Sequence, residues 1–153
     1  MTDIALVRAA DGLRSDLGFD GDLLTDDGLR TACIISVETD ARATDDDLAR
    51  FGLDGADKRG WWADSIVPVV TGDNTGSLLW LLERAKQTEE VRRIAKDMIA
   101  RALEWLIENK IAKSVDVTTQ WGASGRLNWR ASIVKVDGSR FDVDWQASLK
   151  EIA

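Results

Sequence analysis

Two runs near the end of the chain decide the fold: Val115-Asp-Val-Thr-Thr-Gln-Trp121, and Leu127-Asn-Trp-Arg-Ala-Ser-Ile133-Val-Lys-Val-Asp-Gly138-Ser-Arg-Phe-Asp-Val-Asp-Trp145-Gln-Ala-Ser148. Apolar and polar residues alternate along both, the two-residue period of a half-buried strand. Val115, Val117, Thr119 and Trp121 form one face of a first strand. Leu127, Trp129, Ala131 and Ile133 do so in a second, and Phe141, Val143, Trp145 and Ala147 in a third. Parity then decides the turn at Val136-Asp-Gly138-Ser139. A two-residue Asp-Gly turn would put Trp145 opposite Arg130. A three-residue loop, 136–138 with Gly138 at positive φ, pairs Ile133 with Phe141, Ala131 with Val143 and Trp129 with Trp145, and keeps the apolar face whole. The second register is the one expected. The sheet, about residues 113–149, is then an antiparallel meander whose other face carries Asp116, Arg130, Asp142 and Asp144 as solvated cross-strand charges. The last strand lies at an edge, open to pairing with another chain.

Upstream, the period changes to that of helices. From Thr88, a good N-cap, Val91, Ala95, Met98, Ala102, Trp105 and Leu106 recur every three to four residues to about 109. Arg93, Asp97, Arg101, Glu104 and Glu108 lie opposite, with i, i+4 charge pairs Arg93–Asp97 and Asp97–Arg101. Leu103 and Ile107 should make the end of that helix its more buried part. A shorter helix is expected over residues 76–86, with four leucines around Trp80. Thr25-Asp-Asp27 resembles a helix start, with Leu29, Cys33 and Val37 on one face and an end near Thr39, although Ile34, Ile35 and Val37 would also suit a strand. Residues 3–10 suit a short strand followed by a Gly/Asp-rich turn region, and residues 40–60 a long acidic loop. About three helices packed on one face of a C-terminal three-stranded meander make an α+β fold, a single domain over residues 1–153.

Composition narrows the chemistry. The 153 residues are 44% apolar and 31% charged, as in soluble globular proteins. No run free of Asp, Glu, Lys and Arg exceeds nine residues, so no membrane insertion is expected, and Met1-Thr-Asp-Ile4 has no secretion-signal character. The chain has no His, which removes the commonest general base and metal ligand. The lone Cys33 sits in an apolar run and reads as a small buried hydrophobe. Net charge is −7, and its acidic excess is concentrated: residues 1–64 hold 15 acids and 7 bases, the remainder 12 and 13. A pI near 4.6 argues against a nucleic-acid partner and for a basic protein surface or simple solubility.

Candidate chemistry is sparse. Asp20/Asp22, Asp26/Asp27 and Asp45-Asp-Asp47 lack the ligand spacing of a calcium loop, so neither metal nor cofactor is expected. Gly72-Asp-Asn-Thr-Gly76-Ser has no Lys and is not a phosphate loop. Among 27 acids some pair will always suit a glycosidase, so that signal carries almost nothing. Lys58-Arg-Gly-Trp-Trp-Ala-Asp64 is the unusual segment. Neighbouring side chains in a strand face opposite ways, so one Trp should be exposed or cover a neighbouring surface, flanked by Arg59 and Asp64. Trp and Arg are the residues most enriched at binding hot spots. The competing reading makes both Trp local core under the loop.

Several of these segments, in order, resemble one family: Gly28-Leu-Arg-Thr-Ala32, Thr39-Asp-Ala-Arg-Ala43, Arg59-Gly-Trp-Trp-Ala-Asp64, Gly76-Ser-Leu-Leu-Trp-Leu-Leu82 and Ala102-Leu-Glu-Trp-Leu-Ile107. The chain resembles the small baseplate proteins of Mu-like contractile-tailed phages and prophages, over residues 20–147. That family is distantly similar to the sheath-initiating, lysozyme-like wedge protein of larger contractile-tailed phages. The resemblance implies a structural protein that acts in tail assembly by contacting other baseplate proteins, with tail tube or sheath as further neighbours. It would be made in the host cytoplasm and end in the virion baseplate. It also implies that Asp40, Arg42, Arg59, Trp61, Trp62 and Asp64 serve fold or assembly, and it carries over no catalytic residue. A lysozyme-like glycosidase and an acidic protein-binding regulator remain the alternatives, and self-association is left open.

Overall fold

A computed structural model describes residues 3–4, 6–8, 15–17, 25–26, 28–65 and 75–148. Its centre is the expected meander, in the order β5 (Ala112–Trp121), β6 (Arg126–Lys135) and β7 (Arg140–Ser148), all antiparallel. Ile133 pairs with Phe141, Ala131 with Val143 and Trp129 with Trp145, and Gly138 has φ 87°. The three-residue loop therefore forms, closed by the Lys135 N–H donating to the Ser139 carbonyl at 2.9 Å. Leu127, Trp129, Ala131, Ile133, Val143 and Trp145 are buried on the inner face. Arg130 donates to both Asp144 oxygens across the outer face, and the Ser132 hydroxyl to Asp142.

Three helices cover the inner face: α1 (Leu29–Glu38) lies against β7, and α3 (Glu89–Ala102) and α4 (Trp105–Glu108) against β5. The segment 25–39 is helical only from Leu29. Thr25–Asp26 instead forms strand β4 paired with β1 (Asp3–Ile4), and the helix begins after Gly28 at φ 81° without a side-chain cap. Pairing with the first strand overrides the capping signal at Thr25. A second ladder joins β2 (Leu6–Arg8) to β3 (Ser15–Leu17), while Asp20, Asp22, Asp27 and residues 71–74 lie outside the described residues. Cys33 is fully buried, and Val37 almost so.

The long helix expected over 88–109 begins as read, with the Thr88 hydroxyl accepting from the Val91 N–H at 3.2 Å. It breaks at Leu103–Glu104. Leu103, Glu104 and Leu106 each donate to the carbonyl three residues back. Such tight turns advance each residue by about 120° and not 100°. Leu103 and Leu106 stay buried, but Ile107 is rotated out and is 46% exposed, against expectation. On the polar face the ion pairs are Glu89 with Arg92 and Arg93; neither Arg93–Asp97 nor Asp97–Arg101 is paired among the described residues.

Residues 76–86 are not an α-helix. Leu79–Leu82 is instead a 3₁₀ helix with all four side chains buried, followed by a turn at 83–84. Residues i and i+3 eclipse in that geometry, so Leu79 and Leu82 join the main core while Trp80 and Leu81 face a second cluster with Ala43 and Leu48. Leu48 belongs to α2 (Asp45–Arg50), a short helix inside the stretch expected to be an irregular loop. The three adjacent aspartates are its first turn, where the positive helix end favours them. The Thr44 hydroxyl accepts from the Asp47 N–H at 3.1 Å, and Asp47 Oδ2 accepts from the Thr44 N–H at 2.9 Å, a complete capping box.

Candidate interaction site

The unusual segment is assembled around residues 39–43, an extended strip gripped from both sides. On one side Ser77 N–H donates to the Thr39 carbonyl and Ala41 N–H to the Ser77 carbonyl, at 2.8 and 2.9 Å, while the Ser77 hydroxyl donates to Val37. Gly76 stands at φ 112° with its missing Cβ position 2.4 Å from the Thr39 oxygen, so no side chain fits. On the other side Ala43 N–H donates to the Lys58 carbonyl at 2.9 Å, and Gly60 at φ 108° presses against Arg42, where a Cβ would lie 2.8 Å from the Arg42 Cβ. The Trp80 indole N–H closes the grip on the Ala41 carbonyl at 2.9 Å.

Arg59 is the centre of the arrangement. Its backbone is left-handed at φ 49°, a costly conformation for a residue with a side chain. That side chain compensates. Nη1 donates to Asp40 Oδ2 at 2.9 Å and Glu83 Oε1 at 3.0 Å, Nη2 donates to Glu83 Oε2 at 3.1 Å, and the guanidinium lies 4.6 Å from the Trp80 ring centroid. The fork shape of arginine suits this double engagement, which an ammonium could not reproduce. The Glu83 hydrogen bonds, then Asp40, raise the Arg59 pKa against the opposing effect of burial. Lys58 Nζ donates to Asp45 Oδ2 at 2.8 Å, tying the same loop to the start of α2.

The two tryptophans stand directly beyond this clamp. Trp61 is 43% exposed and Trp62 70%, with ring centroids 6.0 Å apart and planes inclined by 56°. Both face outward, so neither is local core. Trp62 opens a 3₁₀ turn (Trp62–Ser65) in which the Asp64 N–H donates to the Trp61 carbonyl, and Asp64 Oδ2 accepts from the Thr75 N–H at 3.3 Å. Six residues marked in the sequence are thus brought into one unit with distinct tasks. Asp40, Arg59 and Asp64 are engaged within the chain, and Trp61 and Trp62 are presented outward. Arg42 is exposed beside Gly60 and helps line a cleft of about 650 Å³ that Phe51, Met98 and Trp105 also line. Sequence reasoning missed Glu83 and Trp80. The apolar run around Trp80 concealed an indole N–H that needs a partner once buried, and nothing local marks Glu83, 24 residues from Arg59.

The arrangement holds charges still and offers apolar area. An acid that donates a proton at neutral pH sits desolvated and away from cations, whereas Asp40 and Glu83, the acids gathered around the arginine, are both ion-paired to Arg59. Among the described residues the carboxyl groups whose pKa departs from the ordinary value, Asp47, Glu89 and Asp137, are all lowered by hydrogen bonds. Among the described residues no cluster of three potential ligands could hold a metal, and no helix is long and apolar enough to cross a membrane.

Comparison with known proteins fits this picture. The baseplate protein gp46 of Escherichia phage Mu is 35% identical over 153 residues, covering 99% of this chain and all of that protein. The Mu-like prophage FluMu protein gp46 of Haemophilus influenzae is 39% identical over 117 residues, 76% of each chain. The family model described as Phage protein GP46 matches residues 29–140, from the first residue of α1 to the first of β7 and through the whole arginine clamp. The chain belongs to the Phage protein GP46 family.

Proposed function

We propose that this protein is a structural component of a contractile-tail baseplate, acting in tail assembly by protein–protein contact and not by catalysis. The observation that carries the reading is the full-length similarity to the phage Mu baseplate protein. The exposed Trp61–Trp62 ridge supports it by supplying a contact surface. Tryptophan on a preorganised loop loses little conformational freedom on binding, and truncating a Trp that serves as an interface hot spot costs about 2 kcal/mol or more. Its neighbours are other baseplate proteins, with tail tube or sheath as further contacts. It is made in the host cytoplasm before joining the particle. Asp40, Arg42, Arg59 and Asp64 serve the ridge by fixing its base. Neither a glycosidase nor a free acidic regulator is favoured by any feature of the site.

The test is complementation of a deletion in the source phage or prophage. Wild-type protein restores intact tails and is found by mass spectrometry and immunogold at the baseplate end. Trp62→Ala folds with an unchanged circular dichroism spectrum but fails to restore tails. Intact, infectious tails formed without the protein would overturn the structural role. Normal tails with Trp61→Ala/Trp62→Ala would overturn the ridge.

A further inference from the structure

Two Asp-Gly pairs have both members among the described residues, Asp54-Gly55 and Asp137-Gly138. A glycine leaves its own nitrogen open to the preceding carboxyl carbon, because no Cβ stands in the way. The two pairs are matched in that respect. All four residues are exposed, Gly55 has φ 74° and Gly138 φ 87°, and nothing lies within 4 Å of a Cβ built at either glycine. Hydrogen bonding separates them. The Asp137 carboxylate accepts from the Ser139 hydroxyl at 2.6 Å and the Ser139 N–H at 2.8 Å, and these bonds hold its pKa below the ordinary value. The Gly138 N–H is also taken, donating to the Lys135 carbonyl at 3.0 Å in the loop that closes the β6–β7 ladder. Asp54 and the Gly55 N–H have no hydrogen-bond or ion-pair partner among the described residues. Their turn is closed by the Ala56 N–H donating to the Leu53 carbonyl at 3.0 Å.

We propose that Asp54 is a site of spontaneous isomerisation to isoaspartate, and that the fold protects Asp137 from the same reaction. The Gly55 nitrogen attacks the carbon of the protonated Asp54 carboxyl group. The carboxyl OH and the amide proton leave together as water, and a five-membered imide forms. Water then adds to one of its two carbonyls. Opening at the side-chain carbonyl restores aspartate, whereas opening at the main-chain carbonyl leaves the backbone running through the former side chain. No atom is gained or lost overall, but the backbone is longer by one methylene group. At Asp137 the same ring closes only after the carboxylate releases Ser139 and the Gly138 N–H releases Lys135. The added methylene at Asp54 falls between Leu53, whose N–H donates to the Leu48 carbonyl at 2.9 Å, and the Lys58 and Arg59 ion pairs. Isomerisation therefore displaces the segment that leads into the Trp61–Trp62 ridge. The chemistry does not depend on the baseplate reading.

Ageing the full chain over weeks at neutral pH and physiological temperature tests it. Trypsin cuts after Arg50 and Lys58 and after Lys135 and Arg140, so the two sites fall in separate peptides, 51–58 and 136–140. Isoaspartate leaves the peptide mass unchanged. It is read by shifted elution, by electron-transfer fragmentation and by methylation with a protein isoaspartyl methyltransferase. Peptide 51–58 should gain isoaspartate at least about tenfold faster than peptide 136–140, the factor expected when hydrogen bonds to a charged group must first be broken. Asp54→Glu should abolish the signal in 51–58, which separates Asp54 from Asp57 in the same peptide. The decisive arm is ageing in urea. Unfolding releases Ser139 and Lys135, so both peptides should then age at similar rates. Equal rates in the folded chain overturn the proposal. So does a difference of the same size in urea, or a 51–58 signal that survives Asp54→Glu.

Discussion

At the residue scale, two glycines with similar backbones separate conformational strain from steric exclusion. Gly138 has φ 87° and nothing within 4 Å of a built Cβ, so Gly138→Ala bears only the left-handed penalty, about 1–2 kcal/mol. Gly76 has φ 112° and the Thr39 oxygen and Ala41 nitrogen at 2.4 and 2.8 Å from that position. Gly76→Ala must push the 39–43 strip off its hydrogen bonds, and should cost at least about 3 kcal/mol. Urea unfolding of the two variants checks this, and equal losses would show that the strip yields. Arg59 follows the same logic. Its side chain is 37% exposed, so its ion pairs are partly screened, and Arg59→Ala should cost about 1–2 kcal/mol with Arg59→Lys recovering only part. In the sequence Arg59 was legible as a flank of the Trp pair. Its role in holding the loop was not, because Glu83 and Trp80 meet it only through the fold.

At the element scale, legibility followed the range of the pattern. The meander and its register could be read because side-chain parity and one short loop determine them together. Leu79–Leu82 and the break at Leu103 could not, since a 3₁₀ turn has the same leucine density as an α-helix and differs only in which partners are buried. Helix α2 is too short for periodicity, yet its capping box, Thr44 with Asp47, was present and was obscured by the run of aspartates. That box is testable. Thr44→Ala should lower stability by about 1 kcal/mol, roughly 2–4 °C in Tm for a chain of this size. The Thr44 hydroxyl, and next its backbone N–H, hold the Asp47 pKa below the usual 3.8. A carboxyl lowered on folding contributes stability that is present above its unfolded pKa and lost as pH falls through the folded one. The stability difference between wild type and Asp47→Asn should therefore be level at neutral pH and shrink below about pH 4. A difference that grows on acidification would contradict the box.

At the scale of the molecule, the fold divides labour between a large core and a small one. The large core joins α1, α3, α4 and the sheet through fully buried residues such as Ile99, Leu103, Leu127 and Ile133. The small one, Ala43, Leu48, Trp80 and Leu81, lies under α2 and carries the ridge. Leu79–Leu82 faces both and is the hinge of the arrangement. Local opening free energy rises with buried apolar contacts, so the small cluster should open first. Hydrogen exchange of the native protein should show α2 and residues 53–62 exchanging through a lower-energy opening than β6, whose amides report global unfolding. Arg59→Ala removes the tie from loop to Glu83 and Asp40, so it should speed exchange in α2 and 53–62 while leaving β6 changed only by its global cost. Trp62→Ala touches none of these ties and should leave both sets as they are. A uniform acceleration across the chain in Arg59→Ala would show a single cooperative unit, and the ridge would then owe its rigidity to the whole domain and not to the clamp.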